Sequence, residues 1–277
     1  MITWNSRTRT VAAAFGALVL TGGAAGEAVA TGTATAVELQ PHRANYALRM
    51  VSAKGSSRFV NVQGATTTML ERTCDGWIVA ERVAMHMDTQ TGDRIRRDLR
   101  FTGWESSDGK RYRFASKALT NGRAEDFKGQ ASIEAGSAGR ADYSTPPDVK
   151  LPLPRDTVFY VTFTRWLLQQ AVAGRLHGEV VVFDGADDEG PERAIVFITP
   201  VKGAAEKGRD LGPLAEGRSW NIRMAFYPVD LHTSEPDFEV EARMLENGVA
   251  TRFRIEFADF TVLQEAQQLE AIAPPEC

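Results

Sequence analysis

Cysteine is nearly absent from these 277 residues: there are two, Cys74 and Cys277. Neither stands in a C-x-x-C pair, so zinc-finger and thioredoxin-type chemistry is excluded at once. The four histidines, His42, His86, His177 and His232, show no metal-ligand spacing. There is no excess of basic charge. The formal net charge is −4 and the pI is about 5.7, so no nucleic-acid partner is indicated. Arg94, Arg96, Arg97 and Arg100 do cluster, but they read as the solvated face of a strand balanced by Asp93 and Asp98. Long apolar runs are also lacking. The one at Val11–Leu20 is too short to span a bilayer as a helix, and no later run is longer, so the chain is not expected to span a membrane by helices. No G-x-S-x-G elbow, P-loop or G-x-G-x-x-G occurs.

The short apolar run makes sense as a leader. Arg7 and Arg9 precede it, and Ala28-Val29-Ala30 or Ala34-Thr35-Ala36 follows as a cleavage site. Residues 1–30 therefore read as a secretory signal peptide, cleaved after Ala30 or Ala36, and 31–41 as a flexible lead-in. No cysteine near either site could take a lipid anchor, so a soluble exported protein in the periplasm is expected. In an oxidising compartment the two cysteines favour a Cys74–Cys277 disulfide; the alternative is two buried free thiols.

From residue 42 to 277 the dominant signal is period-two alternation broken by turns, which predicts antiparallel strands. After Asp75-Gly76, one face carries Trp77, Val79, Val83, Met85 and Met87, and the other Arg82, His86 and Asp88. Glu81 is the single misfit on the apolar face. Asn121-Gly122 and Asn247-Gly248 are two-residue hairpin signals. The second sets Val240 opposite Ile255, Ala242 opposite Phe253 and Met244 opposite Thr251, with Glu239, Glu241, Arg243, Arg252, Arg254 and Glu256 on the other face. The Ala-, Gly- and Ser-rich stretch from Gly129 to Ala141 leaves the strand count open.

One helix stands out. Phe163, Trp166, Leu167 and Ala171 form an apolar stripe, Thr162 or Thr164 can cap its start, and Gly174 suits its end. Such a stripe must cover a sheet face, so Phe163, Trp166 and Leu167 are the candidate core or groove residues. The acidic loop Asp184–Glu189 has its glycine second, not sixth as a calcium loop requires, and reads as solvated. Residues 202–217 read as a mobile loop, and the tail from Leu263 to Ile272 as a short helix before Pro274-Pro275.

No residue set reads as nucleophile plus base, so no catalytic, cofactor or metal residues are assigned. Cys74-Asp75-Gly76-Trp77, Asp184-Gly185, Trp220 with Met224-Ala225-Phe226-Tyr227-Pro228, Pro236-Asp237-Phe238-Glu239-Val240, Asn247-Gly248-Val249 and the terminal Cys277 resemble the EipB family. That family comprises periplasmic cell-envelope integrity proteins of alphaproteobacteria. The resemblance runs from about His42 to Cys277. It implies a mainly β fold: a single antiparallel β-spiral, an open curled sheet wrapped around one central helix and similar to the lipoprotein carriers LolA and LolB. It implies that Cys74 and Cys277 pair, and it implies no catalytic residue. The expected function is non-enzymatic: maintenance of the envelope and of its stress resistance, through a periplasmic protein partner or a lipid. A carrier of an acyl chain or lipoprotein is the first alternative, and a hydrolase with a dispersed site the second.

Overall fold

The computed structural model describes residues 37–134, 137–202, 210–229 and 233–277. The expected signal peptide and cleavage sites, most of the lead-in, His232 and the centre of the 202–217 loop lie outside the described residues.

The strands in order are β1 (His42–Ala53), β2 (Phe59–Arg72), β3 (Gly76–Thr89), β4 (Arg94–Ser106), β5 (Arg111–Thr120), β6 (Arg123–Ser132), β7 (Gly139–Thr145) and β8 (Lys150–Leu153). Helix α1 (Tyr160–Val172) comes next. After it come β9 (His177–Val182), β10 (Glu192–Val201), β11 (Ser219–Pro228), β12 (Phe238–Leu245), β13 (Ala250–Glu256) and β14 (Phe260–Ala271). All fourteen strands form one sheet in the order β8-β7-β6-β5-β4-β3-β2-β1-β14-β13-β12-β11-β10-β9. Every strand pairing in it is antiparallel.

Two meanders are thus joined where β1 pairs with β14. The two edge strands, β8 and β9, are consecutive in the chain. Only α1 and its short flanks connect them, so the sheet must curl until its ends meet around the helix. The segment between β8 and α1 meets the β9 edge at one parallel bridge: Val158 N–H donates to Val181 O at 2.8 Å, and Phe183 N–H to Val158 O at 3.0 Å. Sheet twist supplies the curvature, and the apolar faces supply the drive.

The interior is built by alternation. In β5 every second residue is buried. Trp77, Val79, Val83, Met85 and Met87 of β3 all face inward, as do Ile222, Met224 and Phe226 of β11. Phe163, Leu167, Leu168 and Ala171 of α1 pack into this main core. A second, aromatic cluster holds Tyr112, Phe114, Tyr143, Phe159 and Phe183, between β5–β7 and the flanks of α1. The outer face carries ion pairs, among them Arg223–Glu239, Arg252–Glu241, Arg82–Asp98 and Arg94–Asp88. Arg94 pairs with Asp88 across the β3–β4 turn.

Several expectations are corrected. The tail is strand β14, not a helix, because its residues complete the ladders of both β1 and β13. The Gly129–Ala141 stretch contains the end of β6 and the start of β7. Gly129 and Gly139 are needed there: a Cβ at Gly129 would lie 2.6 Å from both Asp142 O and a ring atom of Phe114. Asn121-Gly122 turns as expected, with positive φ at both residues. Asn247-Gly248 does not. Only Gly248 has positive φ (+87°), because the Asn247 side chain accepts from Val249 N–H and donates to Leu214 O. The loop is therefore one residue longer, and a bulge puts Met244 opposite Ala250 instead of Thr251. Beyond the bulge, Ala242–Phe253 and Val240–Ile255 pair as the alternation required.

Candidate functional site

Helix α1 lies inside the curl and sets the geometry of the interior. It ends as the sequence implies: Gly174 takes φ +72°, its N–H donates to Ala171 O, and Arg175 N–H donates to Gln170 O. Its start differs. The helix begins at Tyr160, and Phe159, the capping position, offers no side-chain bond. Neither Thr162 nor Thr164 is the cap. The missing acceptor comes from β4. Glu105 accepts from Val161 N–H at 2.7 Å, Thr162 N–H at 2.9 Å and the Thr162 hydroxyl. Its residue is 1% exposed. Burial raises the Glu105 pKa; the three donors and Arg165 pull it back, and the net stays above the ordinary value. A carboxylate at the positive end of the helix fixes where α1 sits.

Between α1 and the strands lies a cavity of about 110 Å³. Phe163, Thr164 and Leu167 of α1 form one wall, and Met224, Val240 and Phe253 the opposite one. The lining is mostly apolar. Its polar lining residues are Thr68 on β2, Glu81 on β3, Gln264 on β14, and Tyr160 and Thr164 on α1. Glu81, the misfit on the apolar face of β3, is thus a lining residue of this cavity. Its charge is felt by its neighbours: burial first, then Glu81, holds the Tyr160 hydroxyl far above the ordinary phenol value. Tyr46, which donates to Ala250 O at 2.8 Å, is raised for the same two reasons.

Of the helix residues singled out in the sequence, Phe163 and Leu167 line this cavity. Trp166 does not. It is half-buried, stacks on Phe163, and turns to the β9 edge, where a Cβ on Gly178 would lie 2.8 Å from its indole. Cys74 and Cys277 are joined in a disulfide across a sequence separation of 203. The bond ties the chain end beyond β14 to the β2–β3 turn.

The acidic loop is not wholly solvated. Gly185 sits on the Phe114 ring, and the Tyr112 and Tyr143 hydroxyls donate to Asp184 O and Asp187 O. This draws Asp184 inward until its Oδ2 is inaccessible and without a hydrogen bond. Burial raises its pKa. Nearby Glu192 is pushed up to about 9, by burial and then by Asp184, Asp187, Asp237 and Glu189. Among the described residues, no three His, Cys, Asp or Glu side chains converge as a metal site. His42, His86 and His177 lie on three separate strands, β1, β3 and β9.

A single curled antiparallel sheet that holds one helix and a small, mostly apolar cavity defines a mainly β, barrel-like fold. The chain belongs to the EipB-like family, whose model matches residues 33–273. It is 26% identical over 273 residues to the cell envelope integrity protein EipB of Brucella abortus (strain 2308), covering 95% of this chain and 94% of that protein. A crystal structure described as a β-barrel-like protein of domain of unknown function DUF1849, from Brucella abortus, superposes with a TM-score of 0.80. That comparison has 21% identity and covers 86% of this chain and 100% of the other. Among the described residues, no helix is long and apolar enough to cross a membrane.

Proposed function

We propose that this protein is exported to the periplasm through residues 1–30 and supports the integrity of the cell envelope by binding rather than by turnover. Its ligand is an apolar chain, such as an acyl chain, held between α1 and the sheet. The observation that carries this reading is the cavity: a mostly apolar slot with a few polar residues, Glu81, Thr68 and Gln264, in its lining. Apolar slots with a few convergent polar groups hold chains by burial and orient them by the polar end. The name of the EipB relative and the leader-like N-terminus support the compartment and the role.

Native mass spectrometry of protein purified from its own envelope fraction tests this. The wild type is expected to carry a lipid-sized adduct. Thr164→Phe, which fills the slot from the helix side, is expected to lose that adduct, keep its melting temperature within a few degrees, and fail to restore detergent resistance to a deletion strain. An adduct-free wild type, together with full complementation by Thr164→Phe, would refute chain binding.

A further inference from the structure

The sheet has two edges, and they are finished differently. On β8 the residues whose main-chain groups point away from β7 are Lys150 and Pro152, since Ala141–Leu151 and Gly139–Leu153 lie in the alternate register. Proline has no N–H, so Pro152 removes an outward donor from that edge, and Lys150 adds a charge. On β9 the even-numbered residues face β10, as Leu176 O accepting from Ile198 N–H shows. The odd-numbered residues point outward. Val158 covers Val181 O, but among the described residues the N–H and C=O groups of His177 and Glu179 make no main-chain bond. No proline or lysine guards them.

A groove of about 480 Å³ runs along this edge, between β9 and the Arg155–Val158 segment, with Trp166 among its lining residues. Gly178, with no side chain, lets the indole lie against the strand beside this edge. Just before β9, Leu176 is 59% exposed, and Phe197, paired with His177 from β10, is 56% exposed, two of the four exposed large apolar side chains among the described residues. Unpaired main-chain groups alternating with side-chain pockets match one kind of occupant, an extended polypeptide.

We propose that the free edge of β9 is a docking site for an extended segment of a partner protein, which adds as a further strand along His177–Glu179. Its residues beside Gly178 face Trp166 and are apolar. Its residue opposite Glu179 shares the outer face with that carboxylate and is basic, because opposite charges directly across a ladder attract. The site is separate from the cavity. Trp166 serves the edge, whereas Phe163 and Leu167 serve the cavity.

The test uses the intact, disulfide-bonded protein and a fluorescein-labelled peptide of alternating valine and lysine. Saturable binding to the wild type is expected. Glu179→Gln keeps the N–H and should weaken binding only a few-fold. Glu179→Pro removes the outward N–H, leaves the β9–β10 ladder untouched, and should weaken binding at least about tenfold, the worth of a main-chain hydrogen bond or two. His177→Pro does the same one pair away and serves if Glu179→Pro does not fold. Thr164→Phe should leave peptide binding unchanged, so the edge and the cavity stand or fall separately. No saturable binding up to millimolar peptide, or binding as tight as wild type by both proline variants, overturns the proposal. It is also overturned if the wild type self-associates and Glu179→Pro is monomeric, because the edge would then pair with a second copy of this chain.

Discussion

Glu105 gives the sharpest quantitative test of how the fold is held. It is a β4 side chain doing what a capping residue does, at the N-terminus of α1. Glu105→Ala removes the acceptor of two backbone N–H groups and one hydroxyl. Hydrogen bonds to a charged group contribute about 1.5–3 kcal/mol each, so the gross loss is about 4–9 kcal/mol. Against this, the variant no longer keeps a carboxyl in a site that raises its pKa, and water can refill part of the space. Together the offsets are worth several kcal/mol, leaving a net destabilisation of about 2–4 kcal/mol, at or above the top of the range for an ordinary lost cap. Glu105→Gln keeps one acceptor oxygen but turns an NH₂ towards a donor, and is expected to fall between Ala and wild type. The assay is urea unfolding at pH 7 followed by tryptophan fluorescence, since Trp166 sits on α1 and Trp77 on the facing strand. A loss below about 0.5 kcal/mol for Glu105→Ala would show that α1 is positioned by its apolar face alone.

Reduction of the Cys74–Cys277 bond, or Cys277→Ser, should cost about 2–5 kcal/mol, since the bond closes most of the chain into one loop; matched melts with and without reductant that coincide would contradict this. Glu192 should make stability fall as pH rises. Below about 4.5 the group is protonated in both states; between there and about 9 the unfolded chain releases the proton that the folded one keeps, so stability is lost across that window. Glu192→Gln should flatten the fall and melt higher than wild type at pH 8, and equal slopes for the two proteins would sink the idea. Gly64→Ala should destabilise by about 1–3 kcal/mol, as overpacking does, because its Cβ would sit 2.3 Å from Ala84 O; a melt unchanged within error would mean that β2 and β3 shift apart freely.

Much was legible in the sequence because antiparallel strands write their orientation locally. Alternation in β3, β11 and β12 told which side chains face inward, and it marked Glu81 as out of place before the cavity it lines was known. The strand ladders confirm those faces. The apolar stripe identified α1, and Gly174 its end. Asn121-Gly122 was read correctly because its bonds to Arg96 on β4 leave both φ angles positive.

Where a second segment intervened, local rules lost. Asn247-Gly248 sits against Leu39 and Leu214, and those contacts selected a longer loop and a bulge. The tail carries polar residues that suit a helix as well as a strand; pairing with β1 and β13 decided it. The acidic loop reads as solvated until two tyrosines, 72 and 44 residues away, and Phe114 draw Asp184 inward. Nothing near Glu105 announces a cap, because the helix it caps begins 55 residues later. The sequence by itself determined the strand faces, the one helix and the two cysteines available to pair. The tertiary structure alone decided that β14 closes onto β1, that α1 is capped from β4, and that the sheet's two ends differ. The physical reason is range. Side-chain periodicity is set by neighbours along the chain, whereas caps, closures and open edges are set by which distant segments the curl brings within hydrogen-bonding distance.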